Sequence, residues 1–245
     1  MTWVAYGNMT RSEHFQEFGY LVIEDFLCDA ECQELNAALD AKYEEWRAEA
    51  RQVHDLGDAF ACDVLAWDPV REGHPLFCEM AEHEGLADVT REVLGEGFGT
   101  QSSLIMFSIP GGRGQAWHQD CPPEETGLFN LNRLLYPRDA TLERGAIVIV
   151  PGSHRFGPVP PGEHQAPIEG ELMLTPKAGT LILLHGHVYH RVTPNLTDEP
   201  RNSVNFRALP PGVPEWVTCV AVYRDGRARF CKTPEFAPAI YHETP

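Results

Sequence analysis

From Gly99 onward the chain reads as a succession of short apolar segments, rich in β-branched and aromatic residues and broken by Gly and Pro. They run over 101–108, 116–120, 128–136, 146–150, 172–174, 180–184, 190–193, 203–208 and 216–223. Short runs of this composition, separated by turn residues such as Pro110-Gly111-Gly112, are strands. Two helices followed by about eight such strands predict a mainly β fold, a double-stranded β-helix (jelly roll, cupin-like) backed by N-terminal helices. A roll of this kind has a mouth in which a ligand pocket is expected.

The preceding stretch supplies the helices. Ser12 to Phe18 predicts a short helix, and Gly19 to Ile23 a strand. Asp29 is placed to cap a long helix reaching Glu49, whose Leu35, Leu39, Tyr43 and Trp46 recur at helical spacing for one buried face. Residues 52–78 lack periodicity and form a long connection holding His54, Trp67 and His74; Ala81 to Leu94 is a second helix. The Pro- and Gly-rich stretch 155–170 is expected to pass over the barrel mouth. No internal repeat divides the chain. One domain over 1–245 is expected, with a helical part over about 1–98 and a jelly-roll core over about 99–225.

Composition narrows the partners. A net charge of −17 over 245 residues argues against nucleic acid and anionic membranes, because phosphate binding needs clustered Lys and Arg. No apolar run reaches the length of a membrane span. The seven cysteines are odd in number and form no CxxC pair, and no secretory pattern opens the chain. A reduced, cytoplasmic setting is therefore expected. These features leave the substrate and the oligomeric state open.

Chemistry concentrates in Trp117-His118-Gln119-Asp120. Alternate side chains of a strand share a face, so His118 and Asp120 can reach one metal ion. His190, at the start of a later strand, is a candidate third ligand, with His185 and His187 as competitors in the same stretch. Two imidazoles and a carboxylate on one side of a metal, with the other side open, is the arrangement of non-haem iron(II) oxygenases; zinc also accepts these ligands. Arg201 lies eleven residues beyond His190 (201 − 190 = 11). On the following strand it could clamp a carboxylate through two parallel hydrogen bonds. A zinc hydrolase has no need of that arginine, whereas a dicarboxylic co-substrate chelating the metal at its other end does. Asp120 reads as a rim ligand whose replacement leaves the fold intact. A jelly-roll protein that binds a metal or small ligand without turnover is the competing reading.

In combination, Trp117-His118-Gln119-Asp120, the stretch Asp139 to Gly145, Val150-Pro151-Gly152-Ser153-His154, and His190 followed by Asn195, Thr197 and Arg201 resemble the phytanoyl-CoA dioxygenase family of Fe(II)/2-oxoglutarate oxygenases. Phe18 to Val22 with Phe26-Leu27 resembles the family's start, and the likeness spans roughly residues 15–210. It implies His118, Asp120 and His190 as iron ligands and catalytic residues. Arg201 would bind the distal carboxylate of 2-oxoglutarate, with Gln101, Ser103 and Tyr136 beside the co-substrate. Trp117, Gln119 and Phe107 would wall the substrate pocket. Many relatives carry a small hydroxyl residue two places after the distal histidine. Here that place is Val192, and Thr193 is the substitute donor. The implied reaction consumes O2 and 2-oxoglutarate, releases succinate and CO2, and hydroxylates a C–H bond of a specialised metabolite or lipid-like acid. Desaturation, cyclisation or demethylation are the other outcomes of the same chemistry.

Overall fold

A computed structural model describes residues 2–3, 8–48, 54–55, 63–224 and 226–229. In chain order the elements are β1 (Thr2–Trp3), α1 (Arg11–Phe18), β2 (Tyr20–Glu24), α2 (Asp29–Ala48), β3 (His54–Asp55), β4 (Asp63–Trp67), α3 (Pro75–Ala81), α4 (Glu84–Leu94) and β5 (Gly99–Ser108). There follow β6 (Gln115–Gln119), β7 (Leu131–Tyr136), β8 (Ile147–Ile149), β9 (Leu172–Leu174), β10 (Thr180–His185), β11 (His190–Val192), β12 (Arg201–Leu209), β13 (Val220–Tyr223) and β14 (Gly226–Arg229).

The strands build two antiparallel sheets, as the jelly-roll reading requires. The larger has the order β1-β2-β10-β7-β12-β5-β4-β3 and the smaller β14-β13-β6-β11-β8-β9. Alternation assigns the two faces of the larger sheet. Ile105, Phe107, Leu135, Leu183, Val204 and Phe206 point to the helices and pack with Leu35, Leu39 and Trp46 of α2 and Leu86 and Val89 of α4. The intervening residues point between the sheets, where Leu134, Tyr136, Ile182 and Leu184 meet Ile147 and Ile149 of the smaller sheet. Two apolar layers thus hold three tiers of structure, and the residues left over on the inner faces are polar.

Local chemistry explains the helix boundaries. Thr10 caps α1: its hydroxyl accepts from Glu13 N at 3.2 Å while the Glu13 carboxylate accepts from Thr10 N at 2.8 Å. Gly19 ends the helix at φ +76°, and a Cβ there would stand 2.5 Å from Val188 and 2.6 Å from the His154 ring. The chain therefore turns directly from α1 into β2.

The expected helix Ala81 to Leu94 is present as α4, which starts at Glu84, and a further helix, α3, precedes it. Pro75 opens α3, and His83 caps α4 by accepting from Leu86 N at 3.3 Å, which breaks the run between them. The connection 52–78 is not all loop, since β4 pairs with β5 in the larger sheet and α3 begins at Pro75. His54 keeps only its backbone within the described residues, and His74 stacks edge-on against Trp67 and Phe77 in the helical layer. The expected strand Trp216 to Tyr223 begins with a 3-10 turn, Glu215–Cys219, and only Val220–Tyr223 is strand. The stretch 155–170 does not cover the mouth. It lies on the outer face of the smaller sheet, where Val159 and Ile168 pack with Trp117, Val148 and Tyr189.

Candidate metal centre

β6 and β11 pair so that His118 stands directly opposite His190. Cross-strand neighbours on one face lie side by side, and the two imidazole rings sit 4.0 Å apart, centroid to centroid. Asp120 follows β6 by one residue. Its backbone N donates to Gly186 O at 2.7 Å, which turns its side chain under the two rings. Gly186 has to be glycine for this approach: a Cβ would stand 2.8 Å from the Cys121 sulfur and 2.9 Å from Asn130 Oδ1. One ligating atom from each of His118, Asp120 and His190 falls within a 4.8 Å cluster, and all three residues are buried.

The tautomers are set by the backbone. His118 Nδ1 lies 2.8 Å from Ala116 O, and His190 Nδ1 lies 2.9 Å from Val188 O. A carbonyl oxygen only accepts, so each Nδ1 carries the proton and each Nε2 keeps its lone pair. Those lone pairs face the carboxylate, with His118 Nε2 3.9 Å from Oδ1 and His190 Nε2 3.5 Å from Oδ2. Burial, with His190 alongside, pushes the His118 imidazole down to about 3, so it is neutral near pH 7. Burial would raise the Asp120 carboxyl, but the adjacent Arg207 guanidinium leads the effects that more than offset it, and it stays ionised. Three convergent electron-pair donors, two imidazole and one carboxylate, suit a divalent transition metal.

The face of β12 that carries Arg207 bears a second feature. Arg201 is 7% exposed, and among the described residues it has no acidic partner. Its Nε has no hydrogen-bond acceptor among the described residues, and its guanidinium reaches Ser203 Oγ only at 3.5 Å, the outer limit of a hydrogen bond. Burial lowers its pKa, with buried Tyr136 opposing the shift. Tyr136 itself is raised by burial and lowered by Arg201 and Ser203, so the three side chains face one another. A buried cation without a partner is costly unless a ligand supplies the anion.

Other expected positions go elsewhere. Ser103 points to the helical layer, where its hydroxyl donates to Asp68 at 2.8 Å and accepts from Val70 N at 3.1 Å. Phe107 lies on the same side, stacked on Tyr43 and edge-on to Trp46. Trp117 and Gln119 face the outer side of the smaller sheet, opposite His118. The indole donates to Ala166 O at 2.9 Å, and the Gln119 amide donates to His187 O at 2.9 Å and accepts from Val159 N at 2.9 Å. None of these four lines a pocket at the metal cluster. Thr193 follows β11; its hydroxyl is buried without a partner, and nothing described joins it to Arg201. Gln101 is described only by its backbone in β5. His185 stacks on Phe129 at 3.9 Å, and His187 donates to Pro122 O at 3.0 Å; neither joins the cluster.

Reading by spacing alone missed Tyr223 and Arg207. Tyr223 stacks on the His118 ring at 4.9 Å. Arg207 reaches Asp120 Oδ1 at 3.1 Å. The signal for Arg207 was the alternation Arg201, Ser203, Asn205, Arg207 along one face of β12.

The profile of the phytanoyl-CoA dioxygenase (PhyH) family matches residues 15–203. The chain belongs to the phytanoyl-CoA dioxygenase family. As a member it is an Fe(II)/2-oxoglutarate-dependent dioxygenase. Among curated relatives, this phytanoyl-CoA dioxygenase homologue is similar to methylphosphonate hydroxylase of Gimesia maris, at 24% identity over 82% of this chain and 80% of that one. It also resembles a probable alpha-ketoglutarate-dependent hypophosphite dioxygenase of Stutzerimonas stutzeri, at 32% identity over 47% of this chain and 46% of that one. Solved structures share the fold. The epimerase SnoN from nogalamycin biosynthesis superposes with a TM-score of 0.64 at 20% identity, covering 96% of this chain and 92% of its own. HygX of Streptomyces hygroscopicus, solved with nickel, 2-oxoglutarate and hygromycin B, gives 0.65 at 16% identity, covering 95% and 96%.

Proposed function

We propose that His118, Asp120 and His190 hold iron(II), that Arg201 binds the distal carboxylate of 2-oxoglutarate, and that the enzyme hydroxylates a C–H bond of a small molecule. The observation that carries this reading is the buried Arg201, without an anion among the described residues, on the same face of β12 as Arg207, which contacts the Asp120 of three convergent donors. Iron(II), when bound, supplies a two-electron oxidation by O2 coupled to conversion of 2-oxoglutarate to succinate and CO2.

The chain's own residues do the rest. The Ala116 and Val188 carbonyls hold both imidazoles in the ligating tautomer before any metal arrives. Arg201, backed by Ser203 and Tyr136, offers a fork of donors for one end of a dicarboxylate. Tyr136, which faces Arg201, belongs to the apolar cluster of Leu134, Ile147, Ile149 and Ile182 between the sheets, and such low-dielectric surroundings strengthen a charge pairing. Hydroxylation is favoured over desaturation, cyclisation or demethylation by the curated relatives, one named a hydroxylase and one a dioxygenase. Both are named for small phosphorus compounds, so methylphosphonate and related anions head the substrates to be tried.

Anaerobic Fe(II) with 2-oxoglutarate is expected to produce a weak metal-to-ligand charge-transfer band, and O2 with a substrate to stimulate succinate release. A metal-loaded protein showing neither would refute the proposal and favour a binding protein without turnover.

A further inference from the structure

Asp120 is gripped from both sides by groups the reaction itself does not use. Arg207 Nη2 lies 3.1 Å from Oδ1, and Asn132 Nδ2 donates to Oδ2 at 2.8 Å. These two residues are also tied to each other, since Arg207 Nε donates to Asn132 Oδ1 at 3.1 Å. Asn205 Nδ2 donates to that same oxygen at 2.8 Å, and Asn205 Oδ1 in turn accepts from Arg133 N at 3.1 Å. The far side of the guanidinium is anchored by donation from Nη1 to Thr218 O at 2.6 Å.

The direction of every bond in this chain is forced. The backbone N–H of Arg133 only donates, so Asn205 must present its oxygen to it and its amide nitrogen to Asn132. Asn132 then receives two donors on its oxygen, and only its nitrogen is left for Asp120. The orientation of one carboxylate on the smaller sheet is therefore dictated from β7 and β12 of the larger one. One acceptor site on each Asp120 oxygen is filled, and rotation about its last bond would break both contacts at once.

We propose that Arg207 and Asn132 are positioning residues that fix the rotation of the Asp120 carboxylate, so that its remaining electron pairs face the gap between His118 and His190. This rests on the reading of those three residues as metal ligands. The grip acts before the metal binds: it removes the entropy of orienting the carboxylate from the binding step. Asn205 acts one link back, by fixing Asn132. The fork shape of Arg207 is the essential property, because lysine keeps the charge but cannot span Asn132 and Asp120 together.

Mn(II) binding followed by electron paramagnetic resonance, and the position of the Fe(II)–2-oxoglutarate charge-transfer band, test the proposal. Arg207→Lys and Asn132→Ser are expected to bind Mn(II) about 10- to 100-fold more weakly than the wild type. Their charge-transfer band should also move, a change that a general loss of stability does not produce. At saturating metal their 2-oxoglutarate affinity should stay within about twofold of the wild type, because Arg201 is untouched. A folded variant with wild-type Mn(II) affinity and an unmoved band would overturn the proposal. Should circular dichroism show that both have failed to fold, Asn205→Ser decides: Mn(II) binding about 10-fold weaker supports the grip, and unchanged binding sinks it. A wild-type protein that binds no metal refutes the ligand assignment instead.

Discussion

Replacing Arg201 with methionine should make the free protein more stable and the loaded protein less so. The guanidinium is buried, faces no carboxylate among the described residues, and leaves Nε without an acceptor. Relieving one such unsatisfied buried group is worth about 1–3 kcal/mol. For a chain of this size each kcal/mol moves the melting temperature by about 2–4 °C, so the ligand-free variant should melt roughly 2–12 °C above the wild type. Binding goes the other way. Truncating one partner of a buried charge pair costs about 2–5 kcal/mol, which weakens 2-oxoglutarate binding by about 30-fold to several thousand-fold. At a 2-oxoglutarate concentration 100 times its dissociation constant, the wild type should gain about 2.7 kcal/mol. That corresponds to about 5–11 °C, and the variant should gain under about 1 kcal/mol. Thermal melts at constant Mn(II), with and without 2-oxoglutarate, read both effects, and the variant's lead in melting temperature should shrink or reverse on adding the co-substrate. If Arg201→Met melts below the wild type without ligand, the guanidinium has a structural partner and the argument from an uncompensated charge fails. A co-substrate shift that survives in the variant would remove Arg201 from the binding site.

Other perturbations test the metal centre. Asp120→Ala should abolish succinate formation, and it should cost about 3–5 kcal/mol in urea denaturation, more than a rim position implies, because it leaves Arg207 as a buried charge without its anion; a cost under about 1 kcal/mol would contradict that role. Acid should destabilise the metal-free protein. His118 is depressed to about 3 and His14, His154, His185 and His187 are also lowered, all chiefly by burial. The unfolded chain therefore takes up protons first, from about pH 6.5 downward, and stability is lost as pH falls through that window; a melting temperature flat from about pH 7 to 4.5 would refute the burial of these rings. Gly186→Ala should cost about 1–3 kcal/mol by overpacking against Cys121 and Asn130. It should also weaken Mn(II) binding by shifting the carbonyl that holds Asp120 N, and unchanged binding would show that this carbonyl does not set the ligand.

The expected convergence of residues 118, 120 and 190 rested on local signals: the one-residue gap between His118 and Asp120, and an imidazole at the start of a later strand. The helical face of Leu35, Leu39 and Trp46 was equally legible, because α2 has a solvated side to contrast with its buried one. Strand facing was not. β6, β7, β10 and β12 are buried on both faces, so the polar–apolar alternation that marks an exposed sheet is missing. Without it, Ser103 and Phe107 could not be told from cavity residues, nor Trp117 and Gln119 from neighbours of the metal. The sequence by itself determined the run of short strands, the family motifs and the spacing from His190 to Arg201. Only the tertiary structure decided which face of each strand looks inward, that Asn132 and Arg207 hold Asp120 from the opposite sheet, and that Arg201 has no anion among the described residues. The reason is physical: a strand carries its own period of two, but the choice between its faces is made by whatever packs against it.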